Sequence, residues 1–244
     1  MMRPTFIASD VHLGAVSERT ERAFVAFLRH VAENASSLLL TGDLFDFWFE
    51  YGEVVPGRHF RVLAALADVV DAGVPVTLAG GNHDAWGGRF LRDEVGITFH
   101  ADAFRTELAG RAALVAHGDG VGRGDLKYRA LKALLRSRAT IAAFRALHPE
   151  IGMRIARRVS STGAKAGHDA AAQGRARHIE SWAKDQLAHD PSIDLVVCGH
   201  AHMPAIVDVG GDRWYLNAGD WVKHFSYITL FSGAPPELCF WPQQ

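Results

Sequence analysis

Leu38-Leu39-Leu40, followed at once by Thr41-Gly42-Asp43, restricts the fold more than any other stretch of the chain. Three aliphatic side chains in succession leave neither face of a strand for solvent, so the strand must be covered on both sides, as in a central parallel strand. Gly42 ends the run where the backbone can turn. Asp43 then stands at the carboxyl end, where open α/β sheets keep their ligand crevices. The same arrangement recurs. Thr5–Ser9 leads into Asp10-Val11-His12, and Val76–Ala79 into Gly80-Gly81-Asn82-His83-Asp84. Ala112–Ala116 delivers His117-Gly118-Asp119, and Leu195–Cys198 delivers Gly199-His200-Ala201-His202.

Between these runs the spacing is helical. Glu18–Asn34 carries Phe24, Phe27, Leu28 and Val31 on one face behind a Ser17 N-cap, and Phe60–Ala72 ends at Gly73. Short strands are expected near Ile97, Phe104, Ile206, Trp214, Ile228 and Leu238. A further helix is expected around Ile179, Trp182 and Leu187. The class is α/β, and 244 residues fit one domain over 1–244 with an insertion. That insertion, residues 122–167, is basic, rich in Ala and Leu and mostly helical, with breaks near Ser137 and Pro149.

Charge sets the insertion apart. Arg123 to Arg177 holds 13 Lys/Arg against three acids (Asp125, Glu150, Asp169), an excess of ten that leaves the remainder at −11 within a chain total of −1. A solvated helix face usually mixes its signs, so the block points to an anionic partner: a phosphorylated substrate, a membrane surface or nucleic acid. No apolar run reaches the ~18–20 residues of a membrane span. Cys198 and Cys239 each sit inside an apolar run and read as small buried thiols. The expectation is a cytoplasmic protein, with peripheral attachment to the inner face of the inner membrane allowed by the basic block.

The chemistry lies at the strand ends. In extended chain, residues two apart point the same way, so Asp10 with His12, and His200 with His202, can each serve one site. Adding Asp43, Asn82 and His117 gives seven oxygen and nitrogen donors without a thiolate, a set suited to Mn²⁺, Fe or Zn²⁺. Seven exceed what one tetrahedral ion takes, but suit two ions ~3.5–4 Å apart that share a carboxylate. Singly, each piece is ordinary: Gly-Asp is common in turns, and a lone His-x-His is usually a surface or packing feature. Their conjunction, each directly after an apolar strand, is specific.

In that order the blocks resemble the five-block signature of the calcineurin-like metallophosphoesterase superfamily. The resemblance implies a four-layer α/β/β/α sandwich with an inserted helical cap and two divalent ions, Mn²⁺ being the expected metal. It assigns Asp10, His12, Asp43 and His202 to one ion, and Asp43, Asn82, His117 and His200 to the other. It gives His83 the role of acid or charge stabiliser at the scissile phosphate, with Asp46 as its orienting carboxylate. Gly42-Asp43-Leu44-Phe45-Asp46-Phe47-Trp48, His117-Gly118-Asp119 with Asp125 and Tyr128, and the basic insertion look like one branch, the bacterial UDP-2,3-diacylglucosamine pyrophosphohydrolases of lipid A biosynthesis.

That likeness implies cleavage of a diphosphate to UMP and a diacylglucosamine 1-phosphate, with acyl chains held under the cap. It puts Asn82, His83, Asp125, Tyr128, Trp48 and Lys165 at the substrate. At His83 the chain follows the wider superfamily, the best-known members of the branch having Arg there. The implied partner is a phosphorylated glycolipid, with an anionic membrane surface nearby, no nucleic acid and no obligate protein partner. Two alternatives remain. A phosphodiesterase or nuclease could use the same metals, although the aromatic residues cluster beside the metal blocks and are not interleaved with the basic run. A non-catalytic scaffold should have lost a ligand, and all seven are present.

Overall fold

The computed structural model describes residues 3–122, 126–159 and 169–242. Six strands, β1 (Thr5–Ala8), β2 (Ser37–Leu40), β3 (Val76–Ala79), β4 (Thr98–His100), β10 (Ser226–Leu230) and β11 (Glu237–Phe240), form one sheet in the order β11-β10-β1-β2-β3-β4. Five others, β5 (Phe104–Leu108), β6 (Arg111–Val115), β7 (Leu195–Cys198), β8 (Ala205–Asp208) and β9 (Trp214–Asn217), form a second in the order β5-β6-β7-β9-β8. β1 to β4 run parallel, as do β6, β7 and β9. The antiparallel strands β5, β8, β10 and β11 lie toward the sheet edges.

Side-chain alternation makes the layers. Leu38 and Leu40 of β2 pack outward against helices α1 (Glu18–Asn34) and α2 (Phe60–Asp71), meeting Phe24, Phe27, Leu28, Leu63 and Leu66. Leu39, between them, points the other way and joins Ile7, Val115, Leu195, Val197, Leu216 and Ile228 between the two sheets. On the far side Val196 and Cys198 are covered by Ile179, Ala183 and Leu187 of the long helix Asp169–His189. The order is helix, sheet, sheet, helix, which is why the Leu38–Leu40 run has no polar face. Ser17 caps α1, its hydroxyl accepting the Thr20 N–H at 3.2 Å, a contact whose loss to Ala costs ~1 kcal/mol.

Three helices cross the carboxyl edge of the sheets: α3 (Leu126–Leu135), α4 (Arg138–Arg145) and α5 (Pro149–Val159). The breaks have plain causes. Ser137 is the N-cap of α4, and Pro149 opens α5, where its missing N–H costs nothing. The helix Asp169–His189 is therefore α6. The parallel strands β1, β2, β3, β6 and β7 all finish at this edge, so their following residues converge.

Candidate metal centre

The converging residues hold unusual backbone conformations. Asp10, His12, Asp43, His200 and His202 have φ of 51°, 50°, 50°, 65° and 55°, the left-handed region that costs a side-chain-bearing residue ~1–2 kcal/mol. Five of the seven expected ligands are thus bent out of strand geometry, and the surrounding structure holds them there. Asp10 N–H donates to the Gly42 carbonyl (3.1 Å) and His12 N–H to that of Asp43 (2.9 Å). Gly199 N–H donates to the His117 carbonyl (2.8 Å). A Cβ on Gly81 would overlap the Asp43 carboxylate, and one on Gly199 would overlap Ser9, so only glycine permits this approach.

Side-chain bonds then aim the donor atoms. Asp10 Oδ2 accepts from the Ser9 hydroxyl (2.5 Å) and the His200 N–H (2.9 Å). Its Oδ1 is left facing His202 Nε2 at 3.5 Å and His12 Nε2 at 3.8 Å. Asp43 Oδ1 accepts the His83 N–H (3.0 Å), while Oδ2 lies 3.2 Å from His117 Nε2 and 3.8 Å from His12 Nε2. His117 donates Nδ1–H to the Thr41 carbonyl at 2.8 Å, which turns Nε2 into the site. Asp10, His12 and His202 bring their donor atoms within 4.8 Å of one another, and so do Asp43, His117 and His200. Asp43 stands at the centre. Asn82 is exposed on the floor of the adjoining cavity.

These residues fit divalent cations. Asp10 Oδ1 is buried without a hydrogen-bond partner, and His12 and His202 bring their Nε2 atoms to 3.3 Å of each other. A buried carboxylate oxygen without a hydrogen bond, with two imidazole nitrogens gathered beside it, is a donor set that a divalent cation would satisfy. Electrostatics agree. Burial works to raise Asp10, but His202, His12 and His117 hold it down at about 2, and His117 and His12 likewise hold Asp43 well below the carboxylate range. Burial opposes charge on His12 and His117 too, yet the carboxylates raise both to about 10. His200 goes the other way, to about 4, pushed by burial and by His117. The metal-free centre therefore carries protons that a metal ion would displace.

His83 and Asp46 meet through both the backbone and the side chain of Asp46. The ring Nδ1–H donates to the Asp46 backbone carbonyl at 2.8 Å, and the Asp46 carboxylate oxygen stays 3.9 Å from that nitrogen. Trp48 is a correction. It is fully buried, stacks on Phe45 with ring centroids 4.4 Å apart and donates its indole N–H to Glu50 at 3.2 Å, so it belongs to the core and not to a substrate wall. Tyr128 does line the cavity, with its hydroxyl donating to Asp119 Oδ2 at 2.9 Å. Asp125 and Lys165 lie outside the described residues.

The cavity over the metal ligands measures about 660 Å³. Its upper walls are Phe47, Trp86, Leu131, Leu135, Phe144 and Ile155, and Lys132, Arg136 and Arg175 add positive charge. Phe144 of α4 enters an aromatic cage, 4.7 Å from Phe49, 5.4 Å from Trp86 and 5.8 Å from Phe47 by ring centroids. Arg136 donates to the carbonyls of Ala101 (2.7 Å) and Gly81 (3.1 Å), tying α3 to the loop that bears Asn82.

Sequence reasoning missed several supports. Buried Asp84 accepts four backbone N–H groups, from Gly81, Asp43, Leu44 and Phe45. Asp119 binds Lys132 at 2.8 Å as well as Tyr128. Asp220, between the strands expected near Trp214 and Ile228, lies 3.3 Å from His202 Nδ1. Asp84 and Asp119 at least stand inside recognisable blocks; Asp220 had no such signal.

The sequence profile of the calcineurin-like phosphoesterases matches residues 3–204. A UDP-2,3-diacylglucosamine hydrolase of Porphyromonas gingivalis is 29% identical, the alignment covering 94% of each chain. Proteins of the same name from Ralstonia nicotianae and Xanthomonas oryzae are 31% and 30% identical, covering 89% and 93% of this chain and 84% and 94% of theirs. Among solved structures, a dimetal phosphatase from Danio rerio aligns over 99% of both chains at 9% identity, with a TM-score of 0.48. The span of the profile match and the relatives at 30% identity or more agree: this chain belongs to the calcineurin-like phosphoesterases and is a metal-dependent hydrolase of phosphoesters or diphosphates.

Proposed function

We propose that this chain hydrolyses the diphosphate of UDP-2,3-diacylglucosamine, releasing UMP and 2,3-diacylglucosamine 1-phosphate, a step of lipid A biosynthesis. One observation carries the reading: a single cavity joins a floor of His12, Asp43, Asn82, His83, His200 and His202 to walls of Phe47, Trp86, Leu131, Leu135, Phe144 and Ile155. A diphosphate needs the first and acyl chains need the second. The named activity of the relatives supports the same substrate.

Asp10, His12, Asp43 and His202 would hold one ion and Asp43, Asn82, His117 and His200 the other, with Mn²⁺ the metal proposed. Bound there, the two ions would neutralise the diphosphate and acidify the attacking water. The Asn82 carboxamide can spend its oxygen on a metal and its NH₂ on a phosphate oxygen. His83, its Nδ1–H held by the Asp46 carbonyl, has Nε2 as its remaining ring nitrogen, and in the imidazolium form that nitrogen carries the transferable proton. As water adds to phosphorus and the P–O–P bridge breaks, that proton passes to the departing phosphate oxygen.

Residues 122–167 act as a cap over the acyl chains. Exposed Arg129, Arg138, Arg145, Arg154 and Arg158 on α3 to α5 would meet an anionic bilayer, giving peripheral attachment. Among the described residues no helix is long and apolar enough to cross a membrane.

The test compares UMP release from UDP-2,3-diacylglucosamine and from UDP-N-acetylglucosamine, with a chromogenic phosphodiester as control. Leu131→Asp should depress kcat/KM for the diacylated substrate alone. Equal kcat/KM on the acylated and unacylated nucleotides would refute the lipid reading.

A further inference from the structure

The histidines of the metal centre are not backed alike. His117 donates its Nδ1–H to a neutral backbone carbonyl, that of Thr41. His202 instead turns Nδ1 toward a carboxylate, Asp220 Oδ2, at 3.3 Å. Asp220 is buried in the loop 218–225 between β9 and β10. Its Oδ1 accepts the N–H groups of Lys223 (2.7 Å) and His224 (2.9 Å), and Oδ2 also lies 3.3 Å from His224 Nδ1. The loop grips the strand ends as well. Trp221 N–H donates to the Asp10 carbonyl (3.1 Å), and the neighbouring Asn217 amide donates to the Gly199 carbonyl (3.0 Å).

We propose that Asp220 is the positioning carboxylate of His202, and that this brace makes the Asp10–His12–His202 site the tighter of the two metal sites. The inference rests on the two-metal reading above. A carboxylate draws on an imidazole N–H more strongly than a neutral carbonyl does, which fixes the ring and makes its other nitrogen a better donor. His202 needs the fixing: its side chain is 24% exposed, whereas that of His117 is 1% exposed and locked by packing. His12 is backed less closely, its Nδ1 standing 3.8 Å from the Asp46 carboxylate.

The experiment is a calorimetric titration of the metal-free protein with Mn²⁺, read as two binding steps. Asp220→Asn retains the side-chain shape and one oxygen for the loop's N–H groups, but presents a neutral amide to His202. It should weaken the tighter step by about 10–100-fold and leave the other within about two-fold. His202→Ala should weaken the same step, and the double variant should be no weaker than His202→Ala alone. Thermal melting of the metal-free variants checks the loop. If Asp220→Asn does not fold, His224→Ala, which leaves the carboxylate in place and removes one of its braces, should weaken the same step by a smaller factor. Unchanged steps in the folded variant, equal weakening of both, or additive losses in the double variant would overturn the assignment. A wild-type protein that takes up no divalent ion would instead overturn the two-metal reading on which it rests.

Discussion

Replacing Asp84 by asparagine exchanges one oxygen for one amide group, yet the structure predicts a large effect. The carboxylate is fully buried. Oδ1 accepts the N–H groups of Gly81 (2.7 Å) and Asp43 (3.3 Å), and Oδ2 those of Leu44 (2.7 Å) and Phe45 (3.3 Å). One side chain thus ties the loop bearing the shared ligand to the loop bearing Asn82 and His83. Asparagine cannot do this, because whichever way its amide turns, the NH₂ meets two N–H donors. Hydrogen bonds to a charged acceptor contribute ~1.5–3 kcal/mol each, and two are exchanged for donor–donor contacts. The expected cost is about 3–5 kcal/mol, as for breaking a buried charged network. In a chain of this size each kcal/mol moves Tm by about 2–4 °C, so the midpoint should fall by about 6–20 °C. The assay is scanning calorimetry at pH 8. There the side chain is ionised, since burial and the Asp43 charge push its carboxyl up only to about 6. A variant within about 1 kcal/mol of wild type, a difference ordinary for any substitution, would refute the clamp.

Other outcomes follow from the same geometry. Asp43→Ala should abolish uptake of both ions by elemental analysis, and nearly all turnover, because both half-sites lose a donor; retention of either ion would deny it the shared position. His83→Ala should leave metal content unchanged while lowering kcat by about 10²–10⁴-fold, the usual contribution of a general acid. His59, buried against Phe45, has its imidazole pushed down to about 4 by burial and by Arg58. The unfolded chain takes up that proton near pH 6.5, so this site favours unfolding progressively from about pH 6.5 down to about 4. The loss is about 3 kcal/mol at about 1.36 kcal/mol per pH unit. His59→Gln should flatten that part of the stability curve measured by denaturant unfolding.

Much of this architecture was legible because it follows from short periodicities. Leu38, Leu39 and Leu40 fill two different cores, and a run with no polar position can do nothing else. α1 and α2 appear within a residue of their expected bounds, since Ser17 is a local start signal and Gly73 a local stop signal. The metal ligands were readable because each follows such a strand directly. What escaped depends on contacts distant along the chain. Phe45, Phe47, Trp48 and Phe49 look equivalent in sequence; the packing of Phe45 against Trp48 buries Trp48, while Phe47 is left at the cavity. Asp220 sits among Ala218, Gly219 and Trp221 with the composition of an ordinary turn. Only the pairing of β9 alongside β7 brings that turn beneath His202.

Because every parallel strand points its carboxyl end the same way, the opposite rim of the sandwich carries the turns β5–β6, β8–β9 and β10–β11. Gly210 and Gly211 in one of these turns and Gly233 in another have nothing within 4 Å of where a Cβ would stand. A fluorescent or affinity handle spliced between Gly210 and Gly211, leaving Asp212 joined to Arg111, would sit on the inert side of the molecule. There it could report binding while standing clear of the chemistry.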